Sequence, residues 1–372
     1  MLFRSMKYYI IAGEASGDLH GSNLIKEIIK LDSNAEIKAL GGDKMQDAGA
    51  TIVKHFKDLA FMGFYEVLIN LKTILNNISY CKKDILDFNP DKIIFIDYPG
   101  FNLRIAKWAK NQKFNTIYYI APQLWALNEK RISEIKKFVN SMYVILPFEK
   151  KFFEKKHNYP VNFLGHPLID SISNFQNRFQ KDKQEIKLKN RQVIAILPGS
   201  RKQEIKKILK TVIKVINDYP DHQFVIARAP NIEKSFYKNF LKNIDITIVQ
   251  NKTYELLSVS SAAIVTSGTA TLETALFKVP QIVCYKSSFI SYIIAKLLVK
   301  IKYISLVNLI MDKEIVTELI QQNCNNDSIS LELNKILNPD HRKKLLLNYN
   351  KLISVLGTPG TSRIIANDII KT

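Results

Sequence analysis

The stretch VIAILPGSRKQEIKKILKTVIKVI, residues 193–216, decides the fold. Val193 to Leu197 form the short unbroken apolar run of a strand buried on both faces. Pro198-Gly199-Ser200-Arg201 interrupts it. Apolar residues then recur at Ile205, Ile208, Leu209, Val212, Ile213 and Ile216, the spacing of one helix face, and the pattern stops before Pro220. A strand that turns through a glycine into a helix is half of a βαβ unit, and its turn lies at a helix N-terminus. Unpaired N–H groups and the positive end of the helix dipole collect there. Gly199 admits close backbone approach, while Ser200 and Arg201 add a hydroxyl and a guanidinium. The turn therefore reads either as a phosphate site or as an ordinary helix start with an exposed arginine.

Working outward, the same alternation fills the chain. Strand-like runs at Tyr8 to Ala12, Ile37 to Leu40, Ile93 to Ile96, Thr116 to Ile120 and Met142 to Leu146 precede the lysine-rich polar stretch Asn174 to Arg191. A second series follows at Val193 to Leu197, Phe224 to Ala227, Ile246 to Val249, Ala263 to Thr266 and Ile282 to Tyr285. The expected organisation is an α/β domain over 1–173, a linker region over 174–191 and a second α/β domain over 192–372. A length of 372 residues suits two cores better than one.

Composition sets outer limits. With 47% hydrophobic and 24% charged residues the chain is globular, and Cys81, Cys284 and Cys324 lack the spacing of a disulfide framework or a zinc site. A reducing cytosol fits. Met1 to Ser5 carry no signal-peptide pattern, and Met6 offers a second start. The most apolar stretch, Phe289 to Met311, is broken by Lys296, Lys300 and Lys302, so it does not span a bilayer, although its lysines could lie at a lipid surface. Fifty-four basic against 34 acidic residues leave a formal +20, which attracts nucleic acid, anionic lipid or phosphorylated small molecules. No basic stripe interleaved with stacking aromatics supports nucleic acid.

Four further constellations sit at strand ends. Ser267-Gly268-Thr269-Ala270-Thr271 repeats the strand, glycine turn and helix logic, and Glu273 one turn in could accept ribose hydroxyls or simply oppose the helix dipole. Gly13-Glu14-Ala15-Ser16-Gly17-Asp18 lacks the spacing of a nicotinamide fingerprint; its acids Glu14 and Asp18 would repel a pyrophosphate, so it faces sugar hydroxyls or an acceptor, or is a loop with Asp18 as cap. Asp97 closes the Ile93 to Ile96 run and is placed to act as a general base or to form a turn. Trp125, in Ala121-Pro122-Gln123-Leu124-Trp125-Ala126, is either an apolar wall for lipid or sugar or a core residue. The histidines make no zinc-enzyme pattern and no G-x-S-x-G elbow is present, so neither metal nor serine-hydrolase chemistry is expected.

These segments, with Leu146-Pro147-Phe148-Glu149, Gly165-His166-Pro167 and Ser305-Leu306-Val307-Asn308-Leu309, are collinear over nearly the whole chain, and in that order they resemble the lipid-A-disaccharide synthase family. The resemblance implies a GT-B glycosyltransferase: two Rossmann-like domains facing a cleft, the first binding the acceptor and the second the UDP-sugar, with a C-terminal helix from about Thr361 packing back across them. It implies inverting transfer from UDP-2,3-diacylglucosamine to 2,3-diacylglucosamine 1-phosphate, giving the β-1,6-linked disaccharide 1-phosphate and UDP. No cofactor or metal is implied, the UDP-sugar being a substrate. Asp97 matches the family's base, Ser16 its loop serine, Arg201 its diphosphate-side arginine, Glu273 its nucleotide-side acid and Asn308 a site asparagine. Gly199, Ser200, Ser267, Gly268 and Thr269 join the donor side; Glu14, Phe61, Met62, Phe64 and Trp125 join the acceptor and lipid side. Leu127, Asn128, Gly100 and Val307 depart from the family pattern and touch acceptor or acyl-chain detail. Peripheral association with the anionic cytoplasmic face of an inner membrane is implied, without nucleic acid. A 2-epimerase for UDP-N-acetylglucosamine on the same fold, or a non-catalytic basic binding module, are the alternative readings.

Overall fold

The computed structural model of the protein describes residues 5–59, 71–126, 129–179, 191–241, 244, 246–288, 292 and 301–372. Contacts divide the chain into two units, Met1–Asp170 with Gly357–Thr372, and Ser171–Leu356. Each is built on a parallel sheet, because apolar runs of five or six residues can bury both faces only between layers of helices.

In the first unit the described strands are β1 (Lys7–Ala12), β2 (Glu36–Gly41), β3 (Thr51–His55), β4 (Lys92–Ile96), β5 (Asn115–Tyr119), β6 (Ser141–Val144) and β7 (Asn162–Phe163), in the spatial order 3-2-1-4-5-6-7. The second has β8 (Gln192–Leu197), β9 (His222–Arg228), β10 (Thr247–Gln250), β11 (Ser260–Thr266), β12 (Gln281–Tyr285) and β13 (Glu318–Ile320), in the order 10-9-8-11-12-13. All pairings are parallel. Both are doubly wound, Rossmann-like orders that reverse direction once, between β1 and β4 and between β8 and β11. Ligands of such sheets bind beyond the carboxyl ends of the strands at that reversal. Each of the ten strand runs read from sequence falls on one of these strands, with Ile120, Ile145, Leu146 and Ile246 lying just outside the strand bounds. The three unread strands, β3, β7 and β13, end a sheet edge or are two or three residues long, and β3 buries no residue fully. The expected helix is Lys202–Ile216, whose buried face is Ile205, Ile208, Leu209, Thr211, Val212 and Val215.

The last stretch differs from the grouping 192–372: Gly357–Thr372 belongs with the first unit. Ile365, Ala366 and Ile369 of the helix Thr361–Lys371 enter the core formed by Tyr8, Ile10, Ile94 and Ile117. Polar anchors hold both helix ends. Asp170 accepts from the N–H groups of Gly360 and Ser362, each at 2.6 Å, opposite the positive end of the dipole. Lys92, buried in β4, donates to the carbonyls of Ile369 and Ile370, the latter at 2.9 Å. Asp170→Ala is therefore expected to lower unfolding stability by about 2 kcal/mol. Urea titration of variant and parent measures this, and coincident midpoints would contradict the anchor.

Candidate functional site

At the reversal of the second sheet, the ends of β8 and β11 come together around a cavity of about 350 Å³. Leu197 to Ser200 line it from one side and Thr266 to Ala270 from the other, with Glu204 and Glu273 projecting from the following helices. Gly199 has φ +102°, and a Cβ there would lie 3.0 Å from Glu204 Oε2 and 3.3 Å from Thr266 Cγ2. The turn can adopt this conformation at low cost only as glycine. Gly268, φ +145°, caps the helix Thr269–Leu276, and its carbonyl accepts from both the N–H (3.1 Å) and the hydroxyl (2.8 Å) of Thr271. Two helix N-termini thus open beside one cavity, an arrangement suited to a diphosphate.

The donor-side residues differ in how they meet this space. Gly199, Ser200, Ser267, Gly268, Thr269 and Glu273 all line it; Arg201 does not. The Arg201 side chain is 74% exposed and donates to Glu204 Oε1 at 3.2 Å, a surface pair worth at most about 1 kcal/mol that a ligand can displace. Ser267 gives its hydroxyl proton to the carbonyl of Ile304 (2.8 Å), so its single donor is already engaged. Glu273 accepts from the Tyr254 hydroxyl at 2.9 Å.

Asn308 requires a correction. It is fully buried and outside the cavity lining. Its Nδ2 donates to Val316 O (2.8 Å) and Glu318 Oε1 (2.9 Å), and its Oδ1 accepts from the N–H groups of Ile315 (2.7 Å) and Val316 (3.0 Å). No donor remains for a nucleotide. Asn308 instead braces the segment that includes Ile304, the partner of Ser267. Glu318 completes that brace by accepting from the N–H groups of Ile304 and Ser305, both at 2.9 Å.

At the reversal of the first sheet, β1 runs into Gly13 and β4 into Asp97. Asp97 and Tyr98 both take left-handed backbone conformations, φ +44° and +49°, which are costly outside glycine and cluster at functional sites. The turn is held from outside: the Asp97 carbonyl accepts from Asn102 Nδ2 (2.7 Å) and the Tyr118 hydroxyl (2.6 Å), and its N–H donates to Ile120 O (3.1 Å). The Tyr98 ring lies against Gly13, where a Cβ would be 2.4 Å from Tyr98 Cγ. Burial first, and the Glu14 carboxylate second, push the Asp97 carboxyl up to about 6. That range suits a base working near neutral pH. Ser16 sits exposed in the first turn of the helix Ala15–Leu31. Asp18 is committed elsewhere, accepting from the N–H groups of Gly42, Lys44 and Met45 at 2.8 to 3.2 Å.

Trp125 is half-buried and fixed, packed edge-on against Phe148 at 4.9 Å with its indole N–H donating to Glu149 Oε1 at 3.0 Å. Glu149 is fully buried and also accepts from the N–H groups of Ile145 (3.2 Å) and Leu146 (3.0 Å). Burial pushes its carboxyl up to about 7 despite these donors, and Asp97 adds to the effect. The Glu14 carboxylate thus acts on Asp97, and Asp97 on Glu149, whereas Ser16 is exposed on the helix surface. Sequence reasoning missed Glu149 as a site residue, and missed the third cavity wall, Ala227 to Pro230 at the end of β9. Phe61, Met62, Phe64, Leu127 and Asn128 lie outside the described residues. Among the described residues no group of three His, Cys, Asp or Glu side chains could hold a metal ion, and no helix is long and apolar enough to cross a membrane.

Comparison with known proteins agrees with this layout. The family model described as lipid-A-disaccharide synthetase matches residues 8–361. A lipid-A-disaccharide synthase of Syntrophus aciditrophicus (strain SB) is 36% identical over 361 residues, covering 95% of this chain and 94% of its own length. Among solved structures, the UDP-GlcNAc 2-epimerase of Neisseria meningitidis bound to UDP-GlcNAc has a TM-score of 0.65 at 15% identity, covering 99% of this chain and 100% of that one. The kitacinnamycin glycotransferase has a TM-score of 0.67 at 11% identity, covering 99% of each chain. At such identities the structures speak for the fold alone, which is that of the GT-B class.

Proposed function

Because this chain belongs to the lipid-A-disaccharide synthetase family, a family of glycosyltransferases, we propose that it transfers 2,3-diacylglucosamine from its UDP derivative to 2,3-diacylglucosamine 1-phosphate. The products are the β-1,6-linked disaccharide 1-phosphate and UDP. The observation that supports this most is the pair of glycine turns meeting at the reversal of the second sheet around one cavity. The second unit, on this reading, is the donor domain. The N–H groups at Gly199, Ser200, Gly268 and Thr269 take the diphosphate, Arg201 swings from Glu204 onto it, and Glu273 reaches the ribose. Asn308 and Ser267 hold the wall in place.

The first unit supplies the acceptor side. Asp97 takes the proton of the acceptor 6-hydroxyl while that oxygen attacks the donor anomeric carbon. The bond to UDP breaks on the opposite face, so the configuration inverts. Fixed N–H dipoles and guanidinium charge stabilise the diphosphate as it leaves. Glu14, Ser16 and Trp125 lie on the acceptor side, with Ser16 contributing a hydroxyl. The test is UDP release measured with donor alone and with donor plus acceptor: release that depends on the acceptor is expected, and epimerisation of a UDP-sugar without acceptor would overturn it. The likeness to epimerases is one of fold and does not favour that reading.

Peripheral attachment to the cytoplasmic face of the inner membrane completes the proposal. A net charge of +20 attracts anionic lipid, and Phe61, Met62 and Phe64 are the apolar contact. Replacing those three with serine is expected to shift the protein from sedimenting with anionic vesicles to the supernatant. Unchanged sedimentation would count against the contact.

A further inference from the structure

The cavity has two acidic residues in its lining and, among the described residues, one arginine or lysine. Glu204 is engaged by Arg201 and Glu273 by Tyr254. The remaining charge is Arg228, the last residue of β9, which lines the cavity and is half-buried, and whose side chain makes no hydrogen bond or ion pair among the described residues. Its backbone is fixed on both sides. Arg228 pairs with Gln250 of β10, and the next residue, Ala229, donates its N–H to the hydroxyl of the fully buried Tyr237 at 3.0 Å while its carbonyl accepts from Ile232 at 3.1 Å. The β8–β9 register runs to Ile196 opposite Ile226, and its continuation sets Arg228 beside Pro198, next to the Gly199 turn. An unpaired guanidinium held on a rigid strand end, beside N–H groups already suited to a phosphate, lacks only an anion.

We propose that Arg228 is a specificity-determining residue of the donor site, binding a phosphate oxygen of the nucleoside diphosphate from the wall opposite the β11 turn. This rests on the donor cavity being in the second unit. Arg228 offsets the two glutamates and lets a dianionic leaving group enter. Arg201, exposed at the rim, is a second and separately removable contact.

Calorimetric titration of the full-length chain with UDP and with uridine tests this. Arg228→Ala is expected to weaken UDP on the order of ten- to a hundred-fold, as loss of a charged hydrogen bond does, and to leave uridine unchanged. Arg228→Lys is expected to recover part of the loss, and the salt dependence of UDP binding to flatten in the alanine variant. Should the alanine variant fold poorly, Arg228→Gln takes its place with the same expectation. UDP binding equal to the parent's, or equal losses for UDP and uridine, would overturn the assignment while leaving the donor cavity standing. A parent protein that binds no UDP would remove the cavity assignment itself.

Discussion

Asp97→Asn is expected to lower turnover on the order of a hundred- to ten-thousand-fold, the range for losing a general base, with UDP affinity unchanged. The substitution keeps the shape of the side chain and removes its capacity to hold a proton. The backbone needs no adjustment, because the Asn102 and Tyr118 bonds go to the Asp97 carbonyl and not to its carboxylate. Asparagine also tolerates the left-handed conformation of this position. The pH dependence carries a second signature. Asp97 works as a base only when ionised, and burial beside Glu14 has pushed it up to about 6. kcat/KM in the parent should thus fall about tenfold per pH unit below about 6 and level off above it. The residual activity of the asparagine variant should lose that acid limb. Near-normal turnover in Asp97→Asn would show that another group takes the proton.

Glu149→Ala is expected to cost about 3 to 5 kcal/mol of stability. Three buried donors, Trp125 Nε1–H and the N–H groups of Ile145 and Leu146, lose their acceptor, and each unsatisfied group costs about 1 to 3 kcal/mol. Against a typical total of about 5 to 15 kcal/mol this is a large fraction, readable as a lower urea midpoint. Glu149→Gln separates shape from charge. Burial raises the Glu149 carboxyl from its ordinary value of 4.5 to about 7, so the folded state favours the protonated form. The stability it contributes is fully present below about 4.5 and is lost as pH rises through about 7. Glutamine does not titrate, so the stability of Glu149→Gln relative to the parent should rise over that window. Glu149, raised to about 7, is still protonated where Asp97 ionises near 6, so the acid limb of the rate profile should stay in place in Glu149→Gln. A relative stability flat with pH would mean that Glu149 does not titrate in this range.

The contrast between what sequence disclosed and what it did not follows from locality. Strands buried on both faces write themselves as apolar runs, which is why β1, β4, β8 and β11, the four that flank the two reversals, were legible. So were the glycine turns after β8 and β11, whose chemistry is carried by neighbours in sequence. Edge strands such as Thr51–His55 carry Lys54 and His55 facing partly outward, and no run marks them. Glu149 and Trp125 are 24 residues apart, and nothing in either segment announces their bond. Asn308 is spent on partners that fold back from Ile315, Val316 and Glu318, so a motif that reads as a binding asparagine is a brace. Arg228 ends a strand with no glycine to flag the turn after it; only the sheet order, which sets β9 beside β8, brings it to the cavity. The same holds for the C-terminal helix, whose place is fixed by Asp170 and Lys92 far away in sequence.

Mass spectrometry of the lipids formed when the purified chain is incubated with UDP-2,3-diacylglucosamine and 2,3-diacylglucosamine 1-phosphate tests the central claim most directly. The expected result is a disaccharide 1-phosphate formed in step with UDP, absent when either substrate is omitted and nearly absent with Asp97→Asn. Unchanged lipids with both substrates present, or a donor altered in the absence of acceptor, would contradict it.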